Sequence, residues 1–415
     1  MLTHRSGLWA HADFLRLWSG QFVSELGSQV TLLALPLAAI LVLHASTFEV
    51  ATLSSLEFSP YLLFALAAGA WVDRLPRRPV LIAADFGRAA LLSSVPLAYA
   101  FGALTIAQLY AVGFATGTLT VFFTLAYQAY LPLLVDRDRL LEANGKLEAA
   151  RSVAQTAGPG LGGGLVALIS APVAILADAI SFVVSGLTII SIRHREERAT
   201  VTAKRDLRAE VHEGIRYVWR QPILRANLFS SGIANFGYGA IWALLLVFAV
   251  RILGLNAGLI GVILALGQGG GILGAVFAGR MAAKIGAGPS FILAMASFGP
   301  GVLLIALADQ STAIAFLALG WALASFATSV TAVLGVGIRQ AMVPQRLQGR
   351  VVGATRTVIL GIAPIGALAG GGLAAAFGLR AALLVGAGIG CVAFVPLLLS
   401  PARTLRQLPA MEFER

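Results

Sequence analysis

Acid is scarce in this sequence. Asp and Glu together number 19 in 415 residues, and all four charged types make up 12% of the chain against 58% hydrophobic residues. So few charges cannot cover the surface of a folded chain of this size, which excludes a water-soluble enzyme. Cysteine occurs once, at Cys391, so no intramolecular disulfide can form and a small apolar filler is the expected role. No G-x-x-x-x-G-K-[ST] loop is present, and with it goes an ATP-driven pump. The five histidines, His4, His11, His44, His194 and His212, all fall in breaks or tails between apolar runs, so no paired constellation for intramembrane chemistry forms. We assign no catalytic residue, no metal and no cofactor.

What the chain has in quantity is long apolar runs. We read twelve, at about 16–43, 50–72, 79–101, 106–130, 147–169, 172–192, 223–250, 257–280, 288–308, 311–338, 350–376 and 379–400, each able to cross a hydrocarbon core of about 30 Å as a helix. Alternating, barrel-type segments are few, so the backbone must satisfy itself as helices. Pro36, Pro60, Pro96, Pro159, Pro300 and Pro364 lie inside these runs and are expected to kink or locally open them. The expected fold is all-α and integral to the membrane. The short polar leader runs into a first span too long for a signal core, so that span is expected to be retained.

The net charge of +11 raises the question of nucleic acid, but the distribution of Lys and Arg answers it. Of the breaks on one side, only Arg251 and Arg380 carry basic charge. The opposite set holds Arg74, Arg77 and Arg78; Arg137, Arg139 and Lys146; Arg193 to Arg225; Arg280 and Lys284; Arg339, Arg346 and Arg350; and the tail. This asymmetry places both termini in the cytoplasm of a multi-pass plasma-membrane protein, its basic face on anionic lipid headgroups. No nucleic-acid partner is expected.

One break is long and charged and divides six spans from six. We therefore read a bundle over 1–192, a cytoplasmic linker over 193–222, a second bundle over 223–400 and a cytoplasmic tail over 401–415. Within the linker Leu207, Val211, Ile215, Tyr217 and Val218 alternate at helical spacing with Arg208, Arg216 and Arg220, which predicts an interfacial helix. The halves echo one another. Gln128-Ala129 and Pro132 recur as Gln340-Ala341 and Pro344, and Ala68-Gly69 with Arg74 and Pro79 recur as Ala278-Gly279 with Lys284 and Pro289. Similar offsets at separated places indicate a duplicated six-helix unit.

The break after the second span reads Gly69-Ala70-Trp71-Val72-Asp73-Arg74-Leu75-Pro76-Arg77-Arg78, which resembles the G-x-x-x-D-R-x-x-R-R loop of the major facilitator superfamily. One carboxylate among three guanidiniums in a short turn can lock one gate conformation and release it in another. Asp85 and Arg88, at i and i+3 in the third span, resemble the supporting partner of that loop. Phe14-Leu15-Arg16-Leu17-Trp18-Ser19-Gly20-Gln21, Leu131-Pro132 with Asn144-Gly145, Gly158-Pro159-Gly160-Leu161-Gly162-Gly163 and Asp178-Ala179-Ile180-Ser181-Phe182 resemble the bacterial branch that contains macrolide exporters and the enterobactin exporter. The resemblance implies twelve helices in two six-helix pseudo-repeats and a secondary efflux transporter. Its substrates would be amphipathic drug-, macrolide- or siderophore-like molecules moved by alternating access against protons. A same-fold importer of a metabolite and a non-transporting membrane sensor or scaffold are the rival readings.

Two departures bear on coupling. Many proton-coupled drug exporters of the superfamily carry an arginine in the middle of the fourth helix, where this chain has Gly113, Gly117, Thr118, Thr120 and Thr124. The loop's second-half counterpart has Ala283, not an aspartate, before Lys284. If protons drive this protein, another acid carries them.

A charge at membrane depth costs roughly 2.5–3.5 kcal/mol on insertion scales, so each needs a reason. Glu25 lies about 13 Å into the first span at about 1.5 Å per residue, on one face with Gln21, Ser28 and Gln29. It either binds a proton or cation or serves packing as a hydrogen-bonded carboxyl. Glu57 is the second proton-coupling candidate; Asp178 is expected to be structural; Arg356 is a cavity counter-charge or reaches the interface. The expected cavity wall comprises Gln21, Gln29, Phe122, Phe123, Tyr127, Gln155, Gln268, Trp321 and the face Asn227, Ser231, Asn235, Tyr238 and Trp242.

Overall fold

The computed structural model describes residues 7–72, 74–194, 196 and 207–406. Among the described residues there are fourteen α-helices and no strand. They are α1 (Ala12–Leu41), α2 (Thr47–Val72), α3 (Arg77–Ala100), α4 (Ile106–Leu134), α5 (Leu140–Leu168), α6 (Ala171–Ser191), α7 (Leu207–Arg220), α8 (Pro222–Arg251), α9 (Ala257–Ile285), α10 (Ala287–Leu307), α11 (Ala313–Met342), α12 (Gln345–Phe377), α13 (Leu379–Val392) and α14 (Val395–Leu398).

Among the described residues ten stretches are long and apolar enough to cross a membrane: α1, α3, α4, α6, α8 to α11, Leu347–Phe377 of α12, and Leu379–Leu398. The helices α2 and α5, of 26 and 29 residues, occupy the places of the two other expected spans. The helix α5 starts earlier than its apolar run because Glu142 and Lys146 pair at 3.4 Å across one turn. The prolines Pro36, Pro60, Pro96, Pro159, Pro300 and Pro364 all lie inside continuous helices. The last expected span, by contrast, is not one helix. It breaks after Val392 and restarts at Val395, because Pro396 has no N–H to continue the ladder and suits the first turn of a new helix. The echo of Pro132 in Pro344 is also imperfect in structure. The helix α4 runs through Pro132, whereas α11 ends before Pro344, which caps the start of α12.

The chain forms two compact units. Unit 1 holds Met1–Ala45, Ser59–Ala203 and Asn256–Val262; unit 2 holds Ser46–Phe58, Lys204–Leu255 and Ile263–Arg415. The core of unit 1 gathers Phe14 and Leu17 of α1, Leu81 of α3, Phe123 and Tyr130 of α4 and Ile189 of α6. In unit 2, Phe291 and Met295 of α10, Val330, Leu334 and Ile338 of α11 and Leu397 of α14 form a comparable cluster. The helices α8 and α12 cross on glycine, where Gly239 meets the backbone of Ala363 and Gly366 that of Phe236. A Cβ at either point would collide with a carbonyl. The expected linker helix is present as α7.

Candidate functional site

In unit 1 the site is built around a buried charge. Arg88 of α3 places Nη2 at 2.5 Å from Oδ1 of Asp85, one turn earlier on the same helix. Its guanidinium also lies 4.0 Å from the ring centre of Phe182 on α6 and 4.4 Å from that of Phe123 on α4, so two aromatic faces share the cation. Asp178 of α6 completes the cluster, its carboxylate accepting from the Ser181 hydroxyl at 3.0 Å within electrostatic reach of Arg88. Asp85, Arg88 and Asp178 are exposed by only 0%, 4% and 1%. The packing that admits Asp178 is Gly27 of α1, where a Cβ would stand 2.6 Å from Asp178 Oδ1. Asp85 thus pairs with the guanidinium away from water, and Asp178 stands within its electrostatic reach. Sequence reading placed Asp85 with Arg88 and kept Asp178 apart; three helices bring them together.

The uncharged fourth span has a local explanation. Thr116, Thr118, Thr120 and Thr124 each return a hydroxyl to the carbonyl four residues back, at 2.6–2.9 Å, so α4 satisfies its own polar groups. Arg88 reaches across from α3 to Thr120 Oγ1 at 3.5 Å. A guanidinium therefore stands beside α4 although α4 carries none.

Glu25 is half-buried on α1 and accepts from Gln21 Nε2 at 3.3 Å. It lies within electrostatic reach of Tyr127, which stacks on Phe123 with centroids 6.0 Å apart. Phe123 itself is core, packed beneath Arg88. Gln29 lies against Gly158 of α5, where a Cβ would overlap the Gln29 side chain, and half-buried Gln155 is one turn earlier on that helix. Glu57, in contrast, belongs to the part of α2 that counts with unit 2.

Two arginines of the expected gate loop, Arg77 and Arg78, are fixed by partners that sequence reading missed. The Glu196 carboxylate accepts from the backbone N–H of Arg77 at 2.7 Å and from that of Arg78 at 3.4 Å, and pairs with Arg77 Nη1 at 2.7 Å. It therefore caps the otherwise unsatisfied N-terminus of α3, where a negative charge is favoured. Arg78 donates to the carbonyls of Ile189 and Ile190 at the end of α6, at 3.3 and 2.6 Å. Just beyond, Asp13 accepts from the backbone N–H groups of Arg193 and His194, each at 3.1 Å, and pairs with Arg16 at 2.6 Å. The rarity of acid was the available signal: a carboxylate in a basic break is a candidate partner for what surrounds it. Arg74 is exposed, Gly69 lies within α2, and Asp73 lies outside the described residues.

In unit 2 the aromatic residues converge. Tyr238 and Trp242 stack one turn apart on α8 with centroids 6.2 Å apart and planes 8° apart. Trp321 of α11 closes on both, at 6.3 and 5.5 Å. Room for Trp321 comes from Gly267 of α9, where a Cβ would stand 2.6 Å from the indole. Next to that glycine, Gln268 accepts from the Ser325 hydroxyl at 3.3 Å. On α8 Asn235 donates to the Ser231 carbonyl at 2.9 Å, and the Ser231 hydroxyl to Asn227 at 3.1 Å, so the polar face is self-bonded. Arg356 is exposed on α12.

A family model described as transmembrane secretion effector matches residues 8–413. The multidrug efflux pump Tap of Mycolicibacterium fortuitum is 28% identical over 369 residues, covering 86% of this chain and 88% of that protein. The macrolide efflux protein A of Streptococcus pyogenes is 29% identical over 183 residues, 43% of this chain and 44% of its own. Among solved structures, the nucleoside transporter NupG superposes with a TM-score of 0.74 at 13% identity, over 93% of this chain and 98% of that one. A bacterial homologue of the iron transporter ferroportin in an inward-facing state gives a TM-score of 0.70 at 17% identity, over 93% and 98%. These two likenesses concern the fold alone. The chain therefore belongs to the transmembrane secretion effector family of the major facilitator superfamily, and it is a multi-pass membrane transporter, not an enzyme.

Proposed function

We propose that this efflux transporter expels amphipathic small molecules of drug, macrolide or siderophore type by alternating access, in exchange for protons. The observation that carries the substrate class is the trio Tyr238, Trp242 and Trp321, a broad aromatic surface beside the amide of Gln268. Such a surface suits a bulky apolar body with one polar anchor better than a small hydrophilic metabolite. The names of the relatives, multidrug and macrolide efflux proteins, point the same way.

The first coupling candidate lies in unit 1. Glu25 is a half-buried carboxyl whose hydrogen-bond partner is the Gln21 amide, an acid on the polar face of a membrane-spanning helix. Glu57 is the second candidate. We read twelve spans in two six-helix halves joined by the linker, both termini cytoplasmic in the plasma membrane. The loop Gly69 to Arg78 would be the gate, its arginines held at Glu196 and the end of α6 in the state described.

Everted membrane vesicles test direction and substrate together. With a panel of lipophilic cations, macrolides and siderophores, the proposal expects energised, saturable uptake into everted vesicles of at least one class. Accumulation only into right-side-out vesicles would establish the importer instead, and binding without movement in either would establish a sensor.

A further inference from the structure

The helix α7 uses one side for packing and leaves the next side open. Gly214 sits on the backbone of Arg350, where a Cβ would stand 2.6 Å from the carbonyl oxygen. The Tyr217 hydroxyl donates to the Met342 carbonyl at 2.7 Å, and Val218 is buried with Leu224, Val343 and Leu347. Farther round the helix, Ile215 and Trp219 form one wall of a groove of about 490 Å³ within unit 2. Phe229 and Phe236 of α8 and Val358 and Ile362 of α12 supply the others. The volume lies within the roughly 300–1,000 Å³ of small-molecule sites. Gly232 keeps it open, since a Cβ there would already approach Ile362 Cδ1 at 3.3 Å. The one hydroxyl in the lining, on Thr355, is spent on the Val351 carbonyl at 2.7 Å.

The rim has the opposite character. Arg216 and Arg220, one turn apart and both exposed, lie on the flank of α7 next to Trp219, because successive residues step about 100°. Arg225 brings a third guanidinium to the same place, donating to the Trp219 carbonyl at 3.4 Å. Among the described residues no carboxylate pairs with these three. On the packed side, Arg350 is paired with Glu213. Basic charge here is therefore more than a topology signal, because the side that meets protein is neutralised and the side that faces the groove is not.

We propose that this groove binds an anionic phospholipid of the inner leaflet, with one acyl chain between α7, α8 and α12 and the phosphate on Arg216, Arg220 and Arg225. The basic breaks put α7 at the cytoplasmic surface, where anionic headgroups lie. A lipophilic cation of the transported kind is disfavoured at a mouth ringed by three guanidiniums. The bound lipid ties the linker helix to the second bundle. This inference rests on the membrane placement and not on export, so it stands or falls separately from the transport reading.

Native mass spectrometry of the purified full chain with added dioleoyl phosphatidylglycerol or dioleoyl phosphatidylcholine tests it. We expect wild type to retain phosphatidylglycerol preferentially, and Arg216→Gln with Arg220→Gln to lower that preference by roughly 30-fold, the effect of two basic groups near an anionic surface. Gly232→Leu fills the groove and should lose both lipids. Equal retention of the two lipids by wild type, a preference unchanged in the double variant, or stoichiometric displacement of phosphatidylglycerol by a lipophilic cation would each overturn the assignment. Should Gly232→Leu fail to fold, quenching of Trp219 by phosphatidylglycerol brominated in its acyl chains, read as wild type minus Trp219→Phe, replaces it. Quenching at a lower mole fraction than with brominated phosphatidylcholine supports the site, and identical curves refute it.

Discussion

Arg88 and Asp85 pair at 2.5 Å one turn apart inside α3, both nearly sealed from solvent, and the cation is shared with α6 through the ring of Phe182. Removing one partner of a buried pair strands the other, at a cost of about 3–5 kcal/mol, whereas removing both together costs far less. Arg88→Met should therefore lower the melting temperature in detergent sharply and strand two carboxylates, Asp85 and Asp178. Asp85→Asn added to Arg88→Met should recover part of the loss. A single variant that melts like wild type would show that the pair carries no stability.

Glu196 joins the turn before α3 to the end of α6 by capping two backbone N–H groups and pairing with Arg77. Glu196→Gln keeps the shape and loses the charge, so about 1 kcal/mol of capping and dipole stabilisation should go. Limited proteolysis between Arg74 and Arg77 should become faster than in wild type. Unchanged cleavage would mean that Glu196 does not hold this turn.

For the aromatic trio, in which each ring touches the other two, Trp242→Ala removes the indole on α8. Stacking beyond simple burial is worth about 1 kcal/mol, so the dissociation constant of a bulky amphipathic substrate should rise at least about five-fold. Asn227→Ala, on the self-bonded polar face, should change it less. Equilibrium binding followed by fluorescence decides between them, and equal effects would remove the trio from the site.

The helices were legible because apolar length is a strong signal: the spans at 106–130 and 257–280 begin within a residue of α4 and α9. Ends were harder, as α5 shows, where an i to i+4 ion pair extends the helix into polar sequence. The amphipathic linker helix was readable from Ile215 and Val218 among arginines. Long-range partners were not. Nothing in the spacing of Asp178 announces Arg88, because that meeting depends on how α3, α4 and α6 pack and on the room left by Gly27. Nor did the expected wall separate Phe123, which is core, from Tyr238 and Trp242, since aromatic type is the same on both sides of that division.

In the loop between α10 and α11, Asp309 accepts from the hydroxyl and backbone N–H of Ser311 at 2.7 and 2.9 Å and from the same two groups of Thr312 at 2.9 and 2.8 Å. The Ser311 hydroxyl leads these bonds in holding the carboxyl down to about 2 from an ordinary 3.8. Because the folded value lies below the unfolded one, its stabilising effect is complete above about pH 4 and fades as pH falls through about 2. The melting-temperature gap between wild type and Asp309→Ala should stay constant from about pH 7 to about pH 5 and close on further acidification. A gap that widens in acid contradicts the assignment.

Proton-coupled export is proposed to run through Glu25. Its most direct test is substrate movement in proteoliposomes under an imposed pH gradient, for wild type and Glu25→Gln, with folding of both checked by melting. The account predicts gradient-dependent transport in wild type that Glu25→Gln abolishes while substrate still binds. Transport that ignores both the gradient and the substitution would contradict it.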